Sequence, residues 1–147
     1  TAQEWQDIAR APTIGSGPAS HNTAALVQRA EMQAALGRIM AELSREGDTV
    51  EGLRRHYTSG LGALPTERDA LLRRNDLGFG PLLLGLTPTE RSGLRVTEVR
   101  EVGPGRRQVD VDLLRGARIT FTWSFEMHRR DGTWLLATGP LIERVRR

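Results

Sequence analysis

The residues whose types could do chemistry fall in four places. Tyr57 is the only tyrosine. It is expected on the apolar side of a short helix, with Val50 and Leu53. A phenol there could reach a pocket. The same position suits a core tyrosine whose hydroxyl is simply satisfied. His56 beside it is expected to point elsewhere, toward the surface. Asp76 follows Asn75 at what would be the mouth of a pocket, or else in an ordinary polar loop. Asp110 and Asp112 stand two apart on a strand, so both leave one face, where they could bind a cation or move protons. Val109, Val111 and Leu113 claim the core on the opposite face, so the pair is expected to face solvent. Glu126 and His128 share a strand face in the same way.

Composition removes several chemistries. There is no cysteine, which excludes disulfides, thiolate metal sites and thiol nucleophiles. Three isolated histidines do not make a metal site, and none is expected. Gly78, Gly80 and Gly85 lack the pattern of a phosphate-binding loop, and no cofactor is expected. Net charge is +3 with a pI near 10.8, and every basic residue is arginine. Arginine raises the pI even at a small net charge. All-arginine usage reads as a GC-rich genome. The arginines are scattered among 18 acids, so no nucleic-acid partner is expected. No apolar run approaches the ~18 residues that cross a bilayer. A chain starting at Thr1 reads as one whose leader, anchor or tag was removed, with export or tethering the expectation.

The 147 residues suit one domain with a real core. Residues 1–10 could form a short helix with Trp5 and Ile8 on one side. Residues 11–22, rich in Pro, Gly and Ser, read as a linker, so the domain is expected over 23–147. A helix starts at Asn22 or Thr23, and Met32, Leu36, Ile39, Met40 and Leu43 form its apolar stripe. Gly47 ends it. Asp48 is expected to cap a second helix. A third should start at Thr66, with Asp69 completing a capping box, and run to about Asn75. Residues 76–93 read as a loop with a short strand at Leu82–Leu84. Thr87-Pro88-Thr89-Glu90 then starts one helical turn.

From Leu94 the apolar period changes from 3.6 to 2. Strands are expected over 94–102, 107–114, 118–129 and 133–138, with 141–145 extending an edge after Pro140. Asp131-Gly132 is a two-residue hairpin turn. It pairs Arg130 with Thr133, Arg129 with Trp134, Met127 with Leu136, and Phe125 with Thr138. One face then carries Ile119, Phe121, Trp123, Phe125, Met127, Trp134 and Leu136. The other carries Thr120, Thr122, Ser124, Glu126, His128, Leu135 and Ala137. An aromatic face of that length must be covered, and the first helix is the expected cover. Arg129 opposite Trp134 is placed to stack on it.

Three helices followed by an antiparallel meander make an α+β domain. With GDTVEGLRRHY after a long first helix and WSFEMHRRDGTW late in the chain, residues 23–139 resemble the nuclear-transport-factor-two-like superfamily, SnoaL-like branch. The resemblance implies a curved antiparallel sheet of four to six strands forming a cone, covered on one face by three N-terminal helices. It implies a pocket between sheet and helices, lined here by Met32, Leu36, Met40, Tyr57, Phe121, Trp123, Phe125 and Trp134. It also implies that the outer sheet face can form a dimer, here through Thr120, Thr122, Ser124, Glu126 and His128. The aromatic face is then either a filled core or the wall of a site for an apolar small molecule. Some members are isomerases, dehydratases, hydrolases or cyclases; others bind partners or scaffold. Enzymes of this kind set a carboxylate, Tyr or His inside the cone, so Tyr57 and Asp76 are the catalytic candidates. The catalytic Tyr and Asp of steroid-isomerase relatives, and the His and Asp set of the dehydratases, cannot be placed residue by residue on this sequence. The expectation is therefore a non-catalytic ligand- or protein-binding domain, homodimeric or with a partner protein. The alternative is a small-molecule isomerase, dehydratase or cyclase.

Overall fold

The computed structural model describes residues 18–145, apart from 59, 60, 62, 63 and 75. The helix expected over 1–10 and the first part of the linker, 11–17, lie outside the described residues. Among the described residues, α1 (Pro18–Arg45), α2 (Val50–Arg54), α3 (Arg68–Leu72), α4 (Gly80–Gly85) and α5 (Pro88–Ser92) precede all the strands. Then come β1 (Leu94–Gly103), β2 (Arg106–Arg115), β3 (Arg118–Arg130), β4 (Thr133–Leu136) and β5 (Ile142–Val145). The chain is an α+β domain with an open five-stranded antiparallel sheet and its helices N-terminal.

Local chemistry explains most boundaries and corrects some expectations. α1 is described from Pro18, so the helix already runs through the end of the stretch expected as a linker. It ends at Gly47, whose φ of +78° closes the helix, with the Asp48 amide reaching the Leu43 carbonyl at 2.8 Å. Thr49, not Asp48, caps α2: its Oγ1 accepts from Gly52 N–H at 3.0 Å. Asp48 instead takes a φ of +56° and accepts from Arg91 at 2.8 Å. The Thr66–Asp69 capping box does not form; Glu67 precedes α3 without a side-chain cap. Leu82–Leu84 lie in α4 rather than a strand. A three-residue apolar run cannot by itself distinguish the two states. The Thr87–Glu90 capping box at α5 forms as expected.

β1, β2 and β3 form a meander, and β3 carries β4 and β5 on its remaining side. Asp131 and Gly132 take φ of +51° and +78°, which suits a tight hairpin turn. Arg130, Arg129 and Met127 pair with Thr133, Trp134 and Leu136 as expected. The expected pairing of Phe125 with Thr138 is absent, because β4 stops at Leu136. Pairing resumes when Ser124 meets Ile142 and Phe121 meets Val145. β4 and β5 are thus two halves of one antiparallel row, interrupted around Pro140, which has no N–H to give a ladder.

The row edges are covered piece by piece. On β1, the Gln33 amide accepts from Val96 N–H at 2.8 Å and donates to the Leu94 carbonyl at 3.2 Å, imitating a strand neighbour. On β4, Leu136 exchanges backbone bonds with His56 and Thr58 at 2.7 and 3.0 Å. The core lies between sheet and helices. Met32, Leu36, Ile39 and Leu43 of α1 meet Val109, Val111, Leu113, Trp123, Phe125 and Met127 in one cluster.

Candidate functional site

Tyr57 is buried where α2 has ended and the chain runs beside β4. Its hydroxyl donates to the Leu77 carbonyl and accepts from Gly80 N–H at the start of α4. Burial pushes the phenol up from its ordinary value. Both functions of the oxygen are engaged by backbone, so the phenol joins α2's exit to α4's entry. Of the two readings open for Tyr57, the satisfied core tyrosine matches this geometry.

His56 is not at the surface as expected: it is only 4% exposed. The expectation extended the helix past its end. α2 stops at Arg54, so helical spacing no longer sets the direction of residues 55–57. The His56 carbonyl accepts from Leu136 N–H at 2.7 Å, which draws the residue under the sheet edge. Its Nε2 has no hydrogen-bond partner and lies 3.9 Å from Glu42 Oε1. Burial lowers its pKa, partly opposed by Glu42 and reinforced by Arg38 and Arg55.

Asp76 is exposed and forked by Arg74, with both contacts at 2.8 Å. That guanidinium holds the carboxyl below the usual carboxylate range. Its backbone matters more to the fold, since the Asp76 carbonyl accepts from Gly139 N–H at 2.7 Å. Tyr57 and Asp76 are close enough for the Asp76 charge to push the phenol further up, but the hydroxyl is buried on backbone while the carboxylate is exposed on Arg74.

The aromatic row lies on the face expected. Trp123 and Phe125 are 2% exposed, and Phe79 stacks on Phe125 at 4.3 Å between centroids, with planes 2° apart. Phe79 also meets Trp123 at 5.7 Å. Phe121, stacked on Trp123 at 5.4 Å, and Met40 are half-buried. Met32, Leu36 and Trp134 are buried. Phe79 was invisible as a cover in the sequence, because it sits alone between Gly78 and Gly80. Arg129 stacks on Trp134 as anticipated, 5.4 Å from the ring centroid, and Arg107 does so at 4.5 Å.

The outer sheet face departs most from expectation. Asp110 and Asp112 do not face solvent freely; they are 7% and 8% exposed. Ser124 and Thr122 stand directly across from them in the β2–β3 register. Each hydroxyl donates to its aspartate at 2.7 Å. Arg100 from β1 adds a contact to Asp110 at 3.1 Å. The pairing gives each carboxylate a hydrogen bond from across the strand, and Asp110 a charged partner as well. Further along, Glu126 accepts from Arg106 at 3.1 Å and meets His128 at 2.8 Å. His128 first, then Arg106, draws the Glu126 pKa down. Thr120 is half-buried. Beside Ser124, at the break between β4 and β5, lies a small hollow of about 100 Å³ lined by Gln108, Glu126, Pro140 and Ile142. Among the described residues, no cluster of three or more His, Asp or Glu side chains is arranged to hold a metal. No described helix is long and apolar enough to cross a membrane.

Comparison with protein-family models, with curated proteins and with solved structures gives no match to this chain.

Proposed function

We propose that this is a non-catalytic binding domain of the cone-shaped, nuclear-transport-factor-two-like kind, whose working surface is the outer face of the sheet and whose partner there is a second copy. The observation that carries this reading is the ladder Asp110–Ser124 and Asp112–Thr122. It gives the middle of the outer sheet face polar groups that already have partners. Docking on such a face would bury Asp110 with Arg100 already beside it and Asp112 with a hydroxyl bond already made, which lowers the cost of burying them. Ile142, 48% exposed on the same face, supplies an apolar contact beside it. The register breaks in β1 and between Leu113 and Leu114 are the kind of bulge that bends strands toward a cone. On the inner side, Phe79 occupies the space a ligand would need against Phe125, and the Tyr57 hydroxyl is held by backbone. The enzymatic alternative requires a free titratable group inside a pocket; the Tyr57 hydroxyl is held by backbone, and Asp76 is exposed and forked by Arg74.

The test is sedimentation equilibrium of the chain and of Ile142→Asp. The expected result is a dimer that the substitution converts to a folded monomer. A wild-type chain that stays monomeric at about 100 μM, where even a weak complex of Kd near 10 μM would be mostly formed, would sink the reading.

A further inference from the structure

On the opposite side of the molecule from the outer sheet face, a groove separates α1 from the β3–β4 hairpin. Ala34, Ala35 and Arg38 form one wall; Arg129, Thr133 and Trp134 form the other. Its volume is about 600 Å³. That lies within the roughly 300–1,000 Å³ range of small-molecule sites. The gap exists because α1 presents alanines where it passes the hairpin, and Gly132 at the turn has no side chain.

The charges around this groove do not balance. Glu31, also at the wall, is already held by Arg107 at 3.1 Å. Arg38 donates to the Trp134 carbonyl at 2.8 Å and has only a long contact, 3.5 Å, to Glu42. Arg129 makes no hydrogen bond or ion pair through its guanidinium among the described residues; its contact is the Trp134 ring. One guanidinium fork is therefore left for an anion, and such a fork matches a carboxylate in geometry as well as charge. The wall around it is fixed in advance: Arg38 holds the Trp134 carbonyl, and Arg107 and Arg129 both lie against its ring. A wall already in place lowers the ordering cost of binding.

We propose that this groove binds a carboxylate carried on a small apolar body. The carboxylate would meet Arg129, and the body would lie against Ala34, Ala35 and Trp134. Glu31 in the wall disfavours a second negative charge, which argues for a monoanion over a phosphate dianion. The site is separate from the outer sheet face, so it stands or falls apart from the dimer proposed above.

Amide-resolved NMR titration of the full chain tests it, with phenylacetate, neutral phenylacetamide and inorganic phosphate as probes. Phenylacetate should shift the Ala34, Gly132, Thr133 and Trp134 amides saturably, with phenylacetamide weaker by about tenfold or more, the worth of a charge-assisted hydrogen bond. Arg129→Gln should lose the preference for the acid. Ala34→Trp should fill the groove and abolish binding while the spectrum stays dispersed. The proposal is overturned if phenylacetate gives no saturable shift by about 10 mM, a limit corresponding to only a few kcal/mol. It is equally overturned if the amide or phosphate binds as well as the acid, or if the shifts map elsewhere and persist in Ala34→Trp.

Discussion

Two adjacent side chains, His56 and Tyr57, show what one sequence position can and cannot say. Tyr57 was expected on the apolar side with Val50 and Leu53 and is buried, although the helix that suggested it ends at Arg54. The burial of His56 was not legible, because it depends on α2 stopping at Arg54 and on a backbone bond to Leu136, far along the chain. A consequence for stability follows. His56 is buried with its Nε2 unpartnered, and burial lowers its pKa below the unfolded value of about 6.5. The unfolded chain therefore takes up the proton more readily than the folded one. The stability His56 contributes is complete above pH ~6.5 and declines as pH falls through that value toward the lowered folded pKa. Urea midpoints measured at steps from pH 8 to pH 5.5 should fall for the wild type and fall less for His56→Gln. Parallel declines would show that His56 titrates as freely folded as unfolded.

At the scale of elements, the strands were more readable than the short helices. Alternation in β2 and β3 put Val109, Val111 and Leu113 opposite Asp110 and Asp112 without any structure, and the Asp131-Gly132 turn fixed the register. The solvation of the polar face was misread, since alternation tells which face a residue takes but not who stands across the next strand. Ser124 and Thr122 do, and their hydroxyls close the face. α4 was unreadable for a different reason. Its place is set by a contact distant in sequence: a Cβ on Gly80 would land in the Tyr57 hydroxyl. Only glycine lets α4 start against that phenol. Gly80→Ala should therefore destabilise the domain by about 1–3 kcal/mol, as overpacking does. In the Tyr57→Leu background, where the hydroxyl is gone, the same change should cost far less. A double-mutant cycle by thermal melting reads this coupling directly. Additive effects would mean that α4 shifts aside and that the phenol does not fix its entry.

For the whole molecule, the order of helices before strands gave the α+β class, while the devices that close the sheet edges could not be seen. Gln33 on β1 and residues 56–58 on β4 each act through two hydrogen bonds across long stretches of chain. Charge is the whole-molecule property on which sequence and structure bear together. A pI near 10.8 looks like that of a nucleic-acid binder, yet the net charge is only +3. The structure shows where the excess goes. Arg74, Arg91, Arg100, Arg106, Arg107 and Arg115 each hold at least one carboxylate. A guanidinium already paired with a carboxylate releases no counterion when it meets a phosphate unless that pair first breaks. Affinity for DNA grows with the number of phosphates neutralised, with a salt slope of about −0.9 for each. Paired arginines should therefore add little to either quantity. Short duplex DNA in physiological salt should bind no tighter than about 10⁻⁴ M, the weak end of non-specific association. Fluorescence anisotropy across a salt series measures both affinity and slope. A Kd below about 10⁻⁶ M with a slope near −5 would mean that these pairs open to present a phosphate-binding surface, and the scattered arginines would then need a different account.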